Sequence, residues 1–462
     1  NNGPDNQTEN FEIDTLAPTV VNVAFSSELT EGRQILSGYG FLNEGDNVSV
    51  TATFSEAVIV DNSSGPNPTI TLVVGSDNRT ATYTSHDNAT LVFEYTIQAD
   101  ETDSHGISIL GDTLALNGST IKDAALNDAI LTHSAESDNS SYIVDTTPPT
   151  VSSVAITNVV GAQNSFLNAG DNVSVTVTFS ESPISAVIVD NTSAATLTLK
   201  VGNDNRTAAY ASGDSTIVSS GSDNASLVFS YIIQATNTSG ENDSDGISIV
   251  ANALNSDIIT IRDAAGNIAT DLTHDEVPDN SSVKVDTIPP SVDNFTMSDT
   301  ELKIGDNATV TLVFSEAVCG ASSGCSLSQT GGTDFSSADI TSPSGSLNNT
   351  MSSNQANDNK TIWTGTFTPT ANTEENINRL LLSNYTDLAG NIGPDNQTEI
   401  YVVDTKAPSV VSFTMSDRTL RRNDNATVEL VFSEPVIGFA NEDIIIPKLD
   451  QEPLHDNLTA SG

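Results

Sequence analysis

Four copies of one short linker constrain most strongly what this chain can fold into. The linkers are DTLAP from Asp14, DTTPP from Asp145, DTIPP from Asp286 and DTKAP from Asp404. They lie 131, 141 and 118 residues apart, which is the length of a whole domain and far longer than one turn of a solenoid. Because proline fixes φ and favours an extended preceding residue, we expect rigid joints between successive domains.

Each linker is followed by a segment in which apolar and polar residues alternate. These segments are NVSVTATF from Asn47, NVSVTVTF from Asn172, NATVTLVF from Asn307 and NATVELVF from Asn425. One apolar face with a period of two residues predicts a half-buried antiparallel strand. Every copy ends in Phe-Ser-Glu, which gives four equivalent glutamates: Glu56, Glu181, Glu316 and Glu434.

Several short strands per copy, separated by turns rich in Gly, Asn and Asp, predict an all-β chain of tandem immunoglobulin-like β-sandwich domains joined by short Pro-containing linkers. A closed barrel remains an alternative, and a propeller is disfavoured because the linkers recur at domain spacing. The linkers also predict the boundaries: the last strand of a preceding domain in 1–13, two domains of one subtype in 14–144 and 145–285, a second subtype in 286–403, and an incomplete domain of that second subtype in 404–462.

Three motifs together resemble a known family. The linker VDTTPP, the strand GDNVSVTVTFSE and the loop DAAGN are similar to the tandem Ig-like repeats of very long bacterial and archaeal cell-surface proteins, including adhesins and surface-layer proteins. The resemblance covers nearly the whole chain. It implies repeated domains in an extracellular protein, whereas the role of such an array has to be argued from its sites.

The charge of the chain limits the kinds of partner that it can bind. Lys and Arg number 15 against 61 Asp and Glu, so the formal net charge is −46. This charge excludes nucleic-acid binding, repels anionic membrane surfaces and attracts cations. Since no segment approaches the roughly 18 consecutive apolar residues of a membrane span, we also expect no membrane insertion in this segment.

Three acidic positions of each copy are expected to meet at one end of the sandwich. The strand that ends in Phe-Ser-Glu returns to the end where the linker enters, which we call the entry pole. The D-x-A-G-N loop precedes the last strand, which must run to the opposite pole, so this loop also lies at the entry pole. The three predicted sets are Asp14, Glu56 and Asp123; Asp145, Glu181 and Asp263; and Asp286, Glu316 and Asp387.

Carboxylates that lie close together do not all stay ionised unless a cation or a proton joins them. Ca²⁺ takes six to eight oxygen ligands, so we expect calcium at the domain junctions. The Gly-Asp-Asn turn would add a fourth carboxylate from the preceding domain, Asp46, Asp171 or Asp306. Leu126 replaces the loop glycine in the first copy, so we expect distortion there. The alternative is that these residues only cap turns and end strands.

Sequons of the form N-x-Ser/Thr are the second recurring signal. The chain has 22 of them, about twice the number that its composition gives by chance. They predict N-linked glycans on exposed strand faces, unless Asp-Asn turns beside Thr-rich strands generate them passively. The candidate acceptors include Asn47, Asn78, Asn88, Asn172, Asn205, Asn224, Asn307, Asn384, Asn396 and Asn425.

The chain has two cysteines, Cys319 and Cys325, separated by five residues. This spacing allows a small local disulfide in an oxidising compartment, and two free thiols are the alternative. Trp363 alternates with its neighbours at strand periodicity, so we interpret it as a core residue and not as a carbohydrate platform.

Neither the HExxH motif nor a phosphate-binding glycine loop occurs in the sequence. We therefore expect a non-enzymatic structural protein at the extracellular cell surface, a rigid acidic array in an S-layer type coat or a surface filament. Its expected partners are copies of itself and divalent cations. Alternatives are the stalk of a giant surface adhesin and an accessory region of a secreted polysaccharide-degrading enzyme.

Overall fold

A computed structural model gives the fold. The structure describes residues 13–26, 34–36, 39–180, 187–190, 195–211, 226–235, 241–255, 260–320, 335–348, 352–353 and 361–446. The chain divides into two compact units, Asn1–Thr287 and Ile288–Gly462. No helix within the described ranges has the length and the hydropathy that crossing a membrane would need.

The first compact unit begins with the segment that the linkers predict as the first domain, residues 14–144. Its strands are β1 Val20–Phe25, β2 Gln34–Leu36, β3 Tyr39–Leu42, β4 Asn47–Phe54, β5 Ile59–Asp61, β6 Thr69–Val74, β7 Asp77–Asp87, β8 Thr90–Thr96, β9 Thr102–Asp103, β10 Ser108–Ile109, β11 Thr120–Lys122 and β12 Ile143–Asp145. They build a six-stranded sheet in the order β1-β4-β8-β7-β6-β10, a four-stranded sheet β2-β3-β12-β9 and the pair β11-β5.

Residues 145–285 repeat this plan. Their strands are β13 Val151–Val160, β14 Phe166–Leu167, β15 Asn172–Phe179, β16 Ile188–Asp190, β17 Thr196–Val201, β18 Asp204–Tyr210, β19 Ser226–Ile232, β20 Asn242–Asp243, β21 Ser248–Asn255, β22 Thr260–Arg262 and β23 Lys284–Asp286. The six-stranded sheet runs β13-β15-β19-β18-β17-β21, and β14-β23-β20 and β16-β22 form the smaller sheets.

The second compact unit contains the other subtype. Its strands are β24 Val292–Met297, β25 Glu301–Lys303, β26 Ala308–Phe314, β27 Val318–Cys319, β28 Ile340–Thr341, β29 Gly345–Leu347, β30 Ser352–Ser353, β31 Ile362–Pro369, β32 Glu374–Asn378, β33 Leu381–Leu382, β34 Thr386–Asp387, β35 Asn396–Gln397, β36 Tyr401–Asp404, β37 Val410–Met415 and β38 Val428–Phe432. Short 3₁₀ turns occupy Ser337–Asp339 and Asn441–Asp443.

In the segment that the linkers predict as the third domain, 286–403, the sheets run β24-β26-β31-β29, β25-β36-β32, β28-β33-β35 and β27-β34. Strand β30 pairs with β31. In residues 404–446, β37 and β38 form an antiparallel pair.

The alternating segments fold as their period predicts. In β15 the residues Val173, Val175, Val177 and Phe179 are all fully buried, while the residues between them are half-buried. The core of each domain joins both layers, because side chains from the large sheet and from the smaller sheets belong to one apolar cluster. The chain is therefore all-β, with tandem Ig-like sandwiches, as the sequence predicts.

Candidate cation sites

Strand register brings the three acidic positions of the first domain to its entry pole. Strand β1 pairs with β4 so that Val20 lies opposite Phe54, which places the Phe-Ser-Glu segment beside the incoming linker. Strand β11 pairs with β5, the strand that follows this segment, so that the loop after β11 lies at the same pole. The backbone of Ile130, just after that loop, donates a hydrogen bond to Pro18 O of the linker at 2.8 Å.

One predicted set forms a compact group of carboxylates. In the first domain, Asp14, Glu56 and Asp123 each offer an oxygen, and these oxygens lie within 4.8 Å of one another. Asp286 belongs to the first compact unit and Glu316 and Asp387 to the second, so the grouping of this set stays a prediction. In the set of the second domain, Glu181 lies outside the described residues, whereas Asp145 and Asp263 are close enough to interact electrostatically.

The D-x-A-G-N loop is a closed turn built by its own aspartate and asparagine. Oδ1 of Asp123 accepts a hydrogen bond from the Asn127 backbone at 2.8 Å, and Oδ2 accepts one from the Asn127 side chain at 2.8 Å. The same two bonds recur between Asp387 and Asn391, at 2.9 and 2.7 Å. The side chain of Asn127 also donates to the linker carbonyl of Asp14 at 3.2 Å, so one asparagine ties the loop to the linker.

The expectation that Leu126 distorts the first site is wrong. Leu126 adopts a φ of 71°, beside 97° for Gly266 and 90° for Gly390. Its backbone donates to Asp123 O at 3.2 Å, as Gly266 does to Asp263 O at 3.3 Å. The side chain is 71 % exposed. The loop therefore keeps its shape, and the cost is the strained left-handed backbone of a β-carbon-bearing residue.

In the first group, the surroundings stabilise the ionised form of Asp123 and destabilise the ionised form of Glu56. Burial alone would raise the pKa of Asp123, but the hydrogen bonds from Asn127 and from the backbone of Ala125 and Leu126 lower it below its ordinary value. The pKa of Glu56 is raised by desolvation and by the negative charges of Asp14 and Asp123. A cation between these groups would relieve that repulsion.

The junction between the first two domains buries the corresponding loop of the second. Phe41 and Ile143 of the first domain form an apolar cluster with Ala264 and Ala265, whereas the equivalent Ala124 and Ala125 of the first domain are exposed. Asp263, next to this contact, is 0 % exposed. Desolvation, followed by the charge of Asp145, raises its pKa to about 6 despite the hydrogen bonds from Asn267. Desolvation also raises the pKa of Asp145.

The Gly-Asp-Asn aspartates close their own turns. Oδ2 of Asp46, Asp171 and Asp306 accepts a hydrogen bond from the backbone three residues earlier, at 2.9, 2.8 and 2.8 Å. The compact group of carboxylates in the first domain contains none of these aspartates. The structure therefore gives these residues a turn-capping role, and a fourth carboxylate at each junction stays a prediction.

Sequence reasoning missed a buried charge network opposite the entry pole. Glu101 is 4 % exposed and accepts hydrogen bonds from Arg79 Nε, from Tyr95 OH at 2.5 Å and from the Gln98 backbone at 2.9 Å. Desolvation and the bond to Glu101 raise the pKa of Tyr95 to about 12. The second domain repeats this network around Glu241. Its signal in the sequence was the recurrence in the first two copies of the segments that carry the three residues: DNRT for the Arg, LVF-x-Y for the Tyr and E-x-D-S-x-G-I-S-I for the Glu.

The sequons differ in what their asparagine contacts. The strand-start residues Asn47, Asn172 and Asn307 each pair with a hydroxyl of the neighbouring strand, at 2.6, 2.6 and 2.7 Å. The exposed candidate acceptors are Asn47, Asn78, Asn88, Asn205, Asn307, Asn384 and Asn425, while Asn172 and Asn396 are half-buried. Asn224 lies outside the described residues.

Cys319 is buried and disulfide-bonded, and Cys325 lies outside the described residues. Trp363 is buried in the core of the third domain, with its ring centroid 5.1 Å from that of Phe335. The tryptophan is therefore a core residue, as its strand periodicity predicts.

Comparisons with known proteins find a matching family for one part of the chain. Residues 286–402 match the model of a family described as bacterial Ig-like domain. A search of the curated proteins found no match.

Solved structures that are similar to the chain include an Escherichia coli adhesin, FdeC, at 9 % identity, covering 84 % of this chain and 96 % of that one with a TM-score of 0.25. Domains A168–A170 of titin show 10 % identity, 83 % and 99 % coverage and a TM-score of 0.22. Domains 1–6 of the surface layer protein SbsC show 11 % identity, 87 % and 56 % coverage and a TM-score of 0.15. Residues 286–402 are therefore similar to bacterial Ig-like domains, within a chain built as a tandem array of Ig-like β-sandwiches.

Proposed function

We propose that the chain is a structural segment of an extracellular cell-surface protein, in which acidic Ig-like domains are stiffened by divalent cations at their entry poles. The observation that carries this proposal is the approach of three carboxylates from three separate elements, Asp14, Glu56 and Asp123, in the first domain. Turn capping explains each loop aspartate, but it does not explain why a glutamate and a linker aspartate approach it.

Calcium is the cation that the donor set fits best. The ligands are carboxylates, which suit hard cations, and backbone carbonyls of the linker lie nearby. Histidine and cysteine, which favour zinc, do not contribute to the group of Asp14, Glu56 and Asp123. Asp14, Glu56 and Asp123 would hold the ion in the first domain, and Asp286, Glu316 and Asp387 in the third. Because each group includes a linker aspartate, a bound ion would fix the linker to the domain that follows it.

Scanning calorimetry of the full chain tests the proposal. A ligand present at a thousand times its dissociation constant stabilises its domain by about 4 kcal/mol, so saturating Ca²⁺ should raise the melting transitions by several degrees over EDTA. Glu56→Gln should abolish this shift in the first domain alone. The matched control is Glu94→Gln, which alters an exposed strand glutamate outside the groups. Identical melting curves in Ca²⁺ and EDTA would contradict the proposal.

The net charge of −46 and the repeated domains support a load-bearing coat or filament made of copies of this protein, with cations screening the repulsion between neighbours. Exposed sequons would carry N-linked glycans on its surface. The second candidate is an adhesin stalk, which the tandem domain plan fits equally well. Cryo-electron tomography of the native surface separates the two: a coat or filament buries more than about 1,000 Å² between copies, and a stalk stands as an isolated thread.

A further inference from the structure

The threonine after each linker aspartate contacts the domain that precedes the linker. The side chains of neighbouring residues in an extended chain point to opposite sides, so the aspartate and the threonine of each linker point to different domains. The aspartate belongs to the entry pole of the following domain, as described above. The threonines are Thr146, Thr287 and Thr405, and the last two are 8 % and 4 % exposed.

In the first two domains the threonine is tied to the glutamate of the buried charge network. The Thr146 hydroxyl donates to Glu101 O at 3.0 Å. The Thr287 hydroxyl accepts from the Glu241 backbone N–H at 2.8 Å and donates to Glu241 O at 3.2 Å. Because Glu241 is fixed from its side-chain end by Arg206 and Tyr231, the linker is held to a rigid point of the domain core.

The third domain achieves the same attachment with other residues. The Thr405 hydroxyl donates to Thr370 O at 2.6 Å and accepts from the Thr373 backbone N–H at 3.0 Å. The Thr405 backbone also donates to Thr373 O at 2.8 Å. The anchoring segment here is unrelated in sequence to that of the first two domains, so the shared element is the linker hydroxyl itself.

We infer that Thr146, Thr287 and Thr405 are linker anchors: each hydroxyl fixes the start of the linker to the preceding domain, so that a joint bends only at the proline-containing residues that follow. The anchor acts without a cation and is independent of the proposed calcium sites. Each linker is therefore attached at both ends. The threonine fixes it permanently to the preceding domain, and a bound cation can fix it to the following domain. Without the hydroxyl, the linker also bends at the point where it leaves the preceding domain.

Distance measurements between the first two domains test this inference in EDTA. Spin labels are placed on the exposed hairpin turns by Ser76→Cys and Asn203→Cys, without reductant so that the disulfide of Cys319 stays intact. Thr146→Val should broaden the distance distribution between the labels, while Thr146→Ser, which keeps the hydroxyl, should leave its width unchanged. An unchanged width in the valine variant, or equal broadening in the serine variant, would overturn the inference.

Hydrogen exchange at the second anchor gives an independent readout. The Glu241 amide donates to the Thr287 hydroxyl, so Thr287→Val should increase its exchange rate on the order of tenfold, the factor expected for one lost hydrogen bond. Thr287→Ser should keep the slow rate. If the valine variant exchanges as slowly as the native chain, the hydroxyl is not an anchor. Core amides of β15 serve as the internal control, because their exchange must stay unchanged if the domain remains folded.

Discussion

The contact between Phe41 and the second domain should control the protonation of a neighbouring carboxyl group. Phe41 is 1 % exposed and covers Ala264 and Ala265, which follow Asp263 in the chain. The first domain shows the uncovered state of the same loop, since its alanines are exposed and the pKa of Asp123 lies below its ordinary value. Phe41→Ala should let water reach the loop and lower the pKa of Asp263.

The size and the sign of the effect follow from the pKa of Asp263. Desolvation and the charge of Asp145 raise it from 3.8 to about 6. Between these two pKa values Asp263 is protonated in the folded domain but ionised in the unfolded chain. Without a cation, the free energy of unfolding therefore falls as the pH rises from about 4 to about 6, and it stays low at higher pH. The difference corresponds to about 3 kcal/mol at neutral pH. Phe41→Ala removes part of this pH dependence, although truncation of the buried ring itself costs about 3 kcal/mol or more.

Methyl NMR of the full chain measures this titration directly. Alanine methyl groups labelled with ¹³C at Ala264 and Ala265 adjoin Asp263, so their shifts report its ionisation in EDTA. We expect a midpoint near 6 in the native chain and a lower midpoint in Phe41→Ala. Asp263→Asn identifies the transition, because it should remove it. A native midpoint near 4, or the same midpoint in both chains, would refute the link between domain packing and protonation.

Three further substitutions test individual parts of the structure. Leu126→Gly should stabilise the first domain by about 0.5 kcal/mol, because relieving the left-handed backbone of leucine gains slightly more than the added chain entropy of glycine costs. Gly390→Leu should destabilise the third domain for the same reason. Calorimetry in which the two substitutions change the stability in the same direction would contradict this. Glu241→Gln should destabilise the second domain by about 3 kcal/mol because it leaves Arg206 without its buried partner, whereas urea denaturation of the control Glu94→Gln should match the native chain.

The sequence predicts the fold and the position of the sites because both depend on local, repeated patterns. Alternation of two residues in NVSVTVTF determines which side chains of β15 enter the core, and strand direction alone brings Glu56 and Asp123 to the linker. A motif repeated in several domains reinforces each such prediction, since one chance match would not recur at equivalent positions.

Other features depend on contacts that no motif encodes. The high pKa of Asp263 arises because Phe41, 222 residues earlier in the chain, covers its loop. The normal shape of the loop at Leu126 shows that its hydrogen bonds outweigh the backbone preference of leucine. The linker threonine has one hydroxyl in a threonine-rich chain, and only the tertiary structure shows that it bonds to the preceding domain.

Anomalous diffraction from crystals of the chain grown with Ca²⁺ tests the central claim most directly. The account predicts a peak at each complete acidic group, about 2.3 to 2.6 Å from oxygens of Asp14, Glu56 and Asp123 and from those of Asp286, Glu316 and Asp387. The same crystals of Glu56→Gln should lose the first peak and keep the second. Well-ordered carboxylates with no anomalous peak between them would contradict the claim that cations join the linkers to the domains.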